Sequence, residues 1–240
     1  MTSSEVYDPL GDYGLGVDLV DCPECNNAGY LVRLDENGIP WSRPCSCMAR
    51  RHSLRRLKQS GMEDAVKRYR FDTYLTPDDL RKKILDAAKR YVDQDRGWFF
   101  ISGRSGSGKS HITTAIFGEL VKRGHNAAVM RWREDSARIK ASVNDPEEYA
   151  RLMRSLMTAP VLLIDDLLQG EVTAADIKLA FSIVDTRYSD SRLRTIISSE
   201  KSLGEILSLS EAVGGRIKER SSGFVLAAPT DNWRLRGGGD

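Results

Sequence analysis

Apolar residues in this chain recur with two different periods, and the two alternate. Short continuous apolar runs at 98–101 (Trp-Phe-Phe-Ile), 127–130, 161–164 and 224–227 predict buried strands, and Arg194-Thr195-Ile196-Ile197-Ser198 is a further strand candidate. Between them lie segments with helical spacing. Leu80, Ile84, Leu85, Ala88, Tyr91 and Val92 mark one helix ending near Gly97, and Ile112, Ala115, Ile116, Phe117, Leu120 and Val121 mark a second over 111–123. Two more are predicted over 147–158 and 174–188. Strands apolar on both sides need cover on both sides, so the alternation predicts an α/β fold with a parallel five-stranded sheet between layers of helices.

The chain ahead of this pattern reads differently. Residues 29–34 and 39–41, with a turn signal at Asn37-Gly38, predict a short hairpin. Residues 48–69 are basic with helical periodicity, broken at Ser60-Gly61, and 73–77 reads as a strap into the next unit. The predicted organisation is an acidic leader (1–20), a small module with a basic helix (21–70), the α/β domain (71–235) and a glycine-rich tail (236–240).

Composition adds few constraints. The chain is 40% hydrophobic and 29% charged, with a net charge of +2. It has no apolar run long enough to span a bilayer and no basic-then-apolar start, so the expectation is a cytoplasmic protein without a membrane partner. The charge is unevenly spread. Arg43, Arg50, Arg51, Arg55, Arg56 and Lys58 are uninterrupted by an acid, a patch that suits phosphates or simply a solvated helix face.

Cys22, Cys25, Cys45 and Cys47 are the chain's only cysteines, and they cluster before the α/β pattern begins. The Cys-x-x-Cys and Cys-x-Cys pairs, set face to face by the hairpin, predict a closed structural zinc site. His52 is close enough in sequence to replace one cysteine.

The most specific chemistry follows the strand at 98–101. Gly103, Arg104, Ser105, Gly106, Ser107, Gly108, Lys109 and Ser110 form a complete GxxxxGKS phosphate loop, preceded by a strand and followed by a helix. Its main-chain N–H groups and helix N-terminus suit a triphosphate, Lys109 suits the β- and γ-phosphates, and Ser110 suits Mg²⁺. His111 completes the nucleotide-binding set. The strand at 161–164 delivers Asp165 and Asp166. Asp165 is expected to hold Mg²⁺ through its water shell, and Asp166 to orient or deprotonate the attacking water. Together these predict an enzyme that hydrolyses ATP.

The order GWFFISGRSGSGKS, VLLIDDL, DTRYSDSRLRTIISSE, GGRIKER and DNWR resembles the DnaC/DnaI/IstB group of AAA+ ATPases. Its cysteine module resembles that of DnaI-type bacterial and phage helicase loaders. The resemblance implies an AAA+ P-loop NTPase fold with no C-terminal lid. It implies a sensor segment at Ser198-Ser199-Glu200, where Glu200 replaces the usual asparagine; either Glu200 meets the attacking water or a serine takes over the sensing. It implies that Arg220 is an arginine finger, supported by Arg216, acting on the phosphates of a neighbouring protomer in a homo-oligomer. Arg234 in DNWR is a further candidate contact. The segment carrying Arg131, Trp132, Arg133, Arg138 and Lys140 would contact single-stranded DNA. The function implied is ATP-dependent loading of a hexameric replicative helicase. Alternatives are an IstB-type transposition helper acting on duplex DNA and a non-enzymatic zinc adaptor.

Overall fold

A computed structural model describes residues 22–48, 51, 52, 55, 58 and 61–230. The expected leader, the tail, Arg234 and the basic residues Arg50 and Arg56 lie outside the described residues.

The hairpin forms as the turn signal predicts. β1 (Tyr30–Leu34) pairs antiparallel with β2 (Pro40–Pro44), with Leu31 opposite Arg43 and Arg33 opposite Trp41. Asp35 closes the turn, its Oδ1 accepting from the amides of Asn37 at 2.9 Å and Ile39 at 2.8 Å. At the open end the Cys45 amide donates to the Gly29 carbonyl at 2.8 Å, which returns the second cysteine pair to the first.

The main sheet holds β3 (Trp98–Ser102), β4 (Ala127–Arg131), β5 (Val161–Asp165), β6 (Arg194–Ser199) and β7 (Val225–Ala227). All pairs are parallel, in the order β4-β5-β6-β3-β7. Because β6 stands between β3 and β5, its C-terminal end separates the phosphate loop from the acid strand.

Side-chain alternation divides the core into two layers. Along β3, Phe99 and Ile101 join Leu163 and Ile196 on one face, while Trp98 and Phe100 join Leu162, Ile164 and Ile197 on the other. The first face is covered by α1 (Glu63–Arg68), α2 (Asp79–Val92) and α3 (Lys109–Lys122), through Val66, Ile84, Tyr91, Ile112 and Phe117. The second is covered through Trp132 and Ile139 of α4 (Trp132–Ala141), Met153 of α5 (Pro146–Thr158), Ile183 of α6 (Ala174–Ser189), Ile206 of α7 (Leu203–Leu209) and Ile217 of α8 (Glu211–Arg220). Among the described residues, no helix is long and apolar enough to cross a membrane.

Two expected boundaries move. α2 stops at Val92, before Gly97, whose φ of +96° places it in the turn that feeds β3. The basic segment assigned to the cysteine module shares the main core from Met62 onward: Met62 and Val66 belong to the apolar cluster of Ile112 and Phe117. Gly118 makes room for this contact, since a Cβ there would lie 2.8 Å from Val66 Cγ1.

Candidate functional site

The loop between β3 and α3 has the conformation its glycines allow. Gly103, Gly106 and Gly108 all have positive φ, and Gly108 caps α3 without a side-chain bond. A Cβ at Gly103 would lie 2.9 Å from Ala228 Cβ and 3.1 Å from Ser107 Oγ. Arg104 and Ser105 are exposed, whereas Ser107 is buried. The first turn of α3 contains no acid, so its N-terminal amides and helix dipole present an uncompensated positive end suited to a phosphate.

Lys109 is 96% buried by side chain, its Nζ donating to the Arg104 carbonyl at 3.1 Å and standing 3.8 Å from Asp166 Oδ1. Ser110 Oγ donates to Asp165 Oδ1 at 3.1 Å. The sheet edge thus joins the lysine, the hydroxyl and both acids. A hydroxyl and a carboxylate at this separation form an oxygen donor set of the kind Mg²⁺ takes, next to the loop that fits the phosphates.

Ser198 completes the cluster. Its Oγ donates to Asp165 Oδ1 at 2.6 Å and accepts from the Asp166 amide at 2.8 Å. Glu200 is exposed one residue beyond β6, outside this cluster. The strand ends by burying Ser198 and Ser199, and of the two expected alternatives it is the Ser198 hydroxyl, rather than Glu200, that lies against the acids in this structure.

His111 also departs from expectation. Its Nε2 lies 3.0 Å from the Arg70 carbonyl oxygen and 3.2 Å from Thr73 Oγ1, and its ring packs on Tyr69 and Tyr74 at 5.0 and 5.2 Å. A carbonyl can only accept, so Nε2 carries the proton. Burial holds the imidazole below its ordinary pKa, so it stays neutral. His111 fastens the strap to α3 instead of facing the nucleotide loop. Tyr74 belongs to the same contact, its ring 3.4 Å from a Cβ placed at Gly108.

The two arginines of α8 lie away from this edge. Arg220 donates to the Asp190 carbonyl at 3.2 Å, its guanidinium 5.9 Å from the centre of the Trp98 ring at the opposite end of β3. Arg216 pairs with Asp185 at 2.7 Å and covers the rings of Phe181 and Tyr188 at 5.1 and 5.4 Å. Neither reaches its own phosphate loop.

The residues of the expected DNA segment differ in their placement. Trp132 is 3% exposed and packs among Met130, Ile139 and Leu156, so its ring is unavailable to stack on a base. Arg138 is paired with Glu148 at 2.9 Å and Lys140 with Asp176 at 2.7 Å. Against its burial, Lys140 and Thr173 hold the Asp176 carboxyl below the usual range. The Arg131 amide donates to Asp135 at 2.7 Å, and Arg133 is exposed.

In the cysteine module the four sulfurs lie within 4.8 Å of one another and are buried. Cys22 and Cys45 are 3.7 Å apart and Cys25 and Cys47 3.5 Å, near the ~3.8 Å edge of a tetrahedron with metal–sulfur bonds of about 2.3 Å. Burial and the neighbouring sulfurs push the Cys47 thiol up, the direction expected where thiols crowd together and a cation would be needed to hold them as thiolates. The donor set fits zinc, and His52, which is exposed, is not part of it. Arg51 donates to Asn27 Oδ1 at 3.2 Å, bracing the knuckle, which removes it from the phosphate patch expected at 43–58.

A phosphate loop and an acid strand separated by one strand, in a five-stranded parallel sheet, define a nucleotide-binding protein of the AAA+ class. The family model for IstB-like ATP binding proteins matches residues 46–212, and the chain belongs to that family. It is 30% identical over 237 residues to the phage-like element PBSX protein XkdC of Bacillus subtilis, covering 90% of this chain and 87% of that one. It is 26% identical to the replicative helicase loader DnaC of Buchnera aphidicola subsp. Schizaphis graminum, covering 77% and 76%. The crystal structure of the DnaC helicase loader superposes with a TM-score of 0.59 over 69% of this chain and 99% of that one, at 19% identity, which supports the shared fold.

Proposed function

We propose that this chain is an ATP-hydrolysing helicase loader, which docks on a hexameric replicative helicase through its cysteine module and places it on single-stranded DNA. The observation that carries the reading is the cluster of Lys109, Ser110, Asp165 and Asp166 at one sheet edge, in a chain that also bears a separate cysteine hairpin. Lys109 and the loop amides hold the triphosphate. Ser110 and Asp165 would hold Mg²⁺, which would supply positive charge to the phosphates. Asp166 orients or deprotonates the attacking water. Arg220 of an adjacent protomer supplies the remaining positive charge.

The hairpin suits docking. Val32, Leu34, Ile39 and Trp41 are all exposed, a concentration of apolar surface on a fifteen-residue unit (30–44). Exposed Arg133 is the DNA contact retained from the segment after β4.

The test uses the full chain. Lys109→Ala should abolish ATP binding, and Asp166→Ala should retain binding while stopping turnover; turnover in both refutes the site. Val32→Asp with Trp41→Asp should abolish copurification with the helicase while leaving ATP binding intact. Family membership favours a second reading, a transposition helper on duplex DNA. Tighter binding to duplex than to single strands, with no helicase retained, would establish that reading in place of the first.

A further inference from the structure

β5 and β6 pair in register from Val161 opposite Arg194 to Ile164 opposite Ile197. Past that point their connection is made largely by the two serines at the end of β6. Ser198 Oγ takes the Asp166 amide and gives its proton to Asp165, and Ser199 Oγ donates to the Leu167 carbonyl at 2.8 Å. The Leu167 amide returns to the Ser198 carbonyl at 2.8 Å. The turn that these bonds hold is strained, for Asp166 and Leu168 have φ of +55° and +57°. Left-handed backbone at a residue other than glycine is unfavourable and persists only where its surroundings enforce it.

A hydroxyl has one proton and two lone pairs. Ser198 uses the proton on the side chain of one acid and a lone pair on the main chain of the other. The 2.6 Å bond fixes Asp165 Oδ1, the same oxygen that Ser110 reaches. The 2.8 Å bond fixes the backbone from which Asp166 projects to within 3.8 Å of Lys109 Nζ. We infer that Ser198 is the positioning residue of the site: one hydroxyl sets the Asp165 carboxylate for Mg²⁺ and the strained Asp166 turn for water activation. This rests on the nucleotide-site reading above and adds a residue that couples the two acids. It also explains how the site works with an exposed Glu200 at the end of the sensor segment.

The experiment compares full-length wild type with Ser198→Ala. A fluorescent ATP analogue is titrated with and without Mg²⁺, and hydrogen exchange is followed over 166–170. Affinity without Mg²⁺ should be unchanged, because the loop amides and Lys109 are untouched, and it reports that the variant is folded. The half-saturating Mg²⁺ concentration should rise by about tenfold, as when an outer partner of a metal ligand is removed. Exchange over 166–170 should quicken. An S198A protein whose Mg²⁺ dependence stays within twofold of wild type overturns the inference. Failure of the wild type to hydrolyse ATP in the presence of helicase and DNA would sink the ATPase reading alone, since the Mg²⁺ titration measures binding and still decides the role of Ser198.

Discussion

Arg187 offers a test of what keeps β6 in place. Its side chain is fully buried, and its hydrogen bonds go to carbonyls and a hydroxyl. Nε donates to Thr195 Oγ1 at 3.0 Å, Nη2 to the Arg194 carbonyl at 2.7 Å, and Nη1 to the carbonyls of Leu156 and Ala159 at 2.9 and 2.8 Å. The last two belong to the C-terminal end of α5, where carbonyls have no partner within the helix. One guanidinium therefore ties α5 and α6 to the start of the strand whose far end carries Ser198. Burial pulls its pKa down to about 10, and it remains a cation at neutral pH. Arg187→Met keeps the apolar stem but leaves three carbonyls and a hydroxyl without a donor. At roughly 1–3 kcal/mol for each buried unsatisfied group, reduced by the water that the gap admits, the loss should be about 3–5 kcal/mol. Arg187→Lys supplies donors from a single point and cannot span three directions, so about 2 kcal/mol should be lost. Urea unfolding followed by circular dichroism measures both. An R187M protein within 1 kcal/mol of wild type, with an unchanged slope, would refute the account.

Two further outcomes follow from the placement of Trp132, Arg133 and His111. Trp132→Phe, which preserves most of the buried volume, should cost about 1–2 kcal/mol and leave single-stranded DNA affinity unchanged, whereas Arg133→Glu should weaken binding and flatten its salt dependence. Loss of DNA binding by a folded W132F would return the ring to the interface. His111 gives a pH signature, because docking holds it neutral with a pKa below the ordinary 6.5. Its contribution is present above 6.5 and is lost as pH falls through the lower folded value, since protonation is favoured in the unfolded chain. Wild type should therefore lose stability relative to His111→Gln between pH 7 and pH 5, and parallel melting curves would disprove the strap contact.

The strands and the phosphate loop were legible because each rests on local pattern: β3 and β5 are apolar on both faces, β6 carries Ile196 and Ile197 at its centre, and the glycines of 103–108 are needed at positive φ. Trp132 was not legible, since an aromatic between arginines reads the same whether it stacks on a base or closes a core. Arg187 was invisible for the opposite reason. A charged residue in a helical segment reads as solvent-facing, and only tertiary packing brings three carbonyls around it. α7 went unrecognised although its capping box, Ser202 with Glu205, stands in the sequence. Ser198 was within reach as an alternative to Glu200, but the choice depended on which side chain the end of β6 turns toward Asp165, and that is set by the sheet order.

That same sheet order leaves the site short of one charge. The phosphate loop follows Ser102 at one end of β3, and Arg220 lies over Trp98 at the other, a separation of four residue steps, or about 13 Å at roughly 3.3 Å per residue. An arginine held at one end of a buried strand cannot reach the phosphates at the other, so if it acts on ATP it acts on the ATP of another copy. Complementation in mixtures isolates that claim. Lys109→Ala removes the phosphate contact but keeps Arg220, and Arg220→Ala does the reverse, so each alone should be inactive. In an equal mixture, some interfaces pair an intact loop with an intact Arg220, and hydrolysis should recover to about a quarter of wild type if protomers exchange freely and sites act independently, as for a finger supplied in trans. Two inactive variants that stay inactive when mixed, under conditions where they demonstrably associate, would place Arg220 outside the reaction and leave its bond to Asp190 and its packing on Trp98 as structural contacts alone.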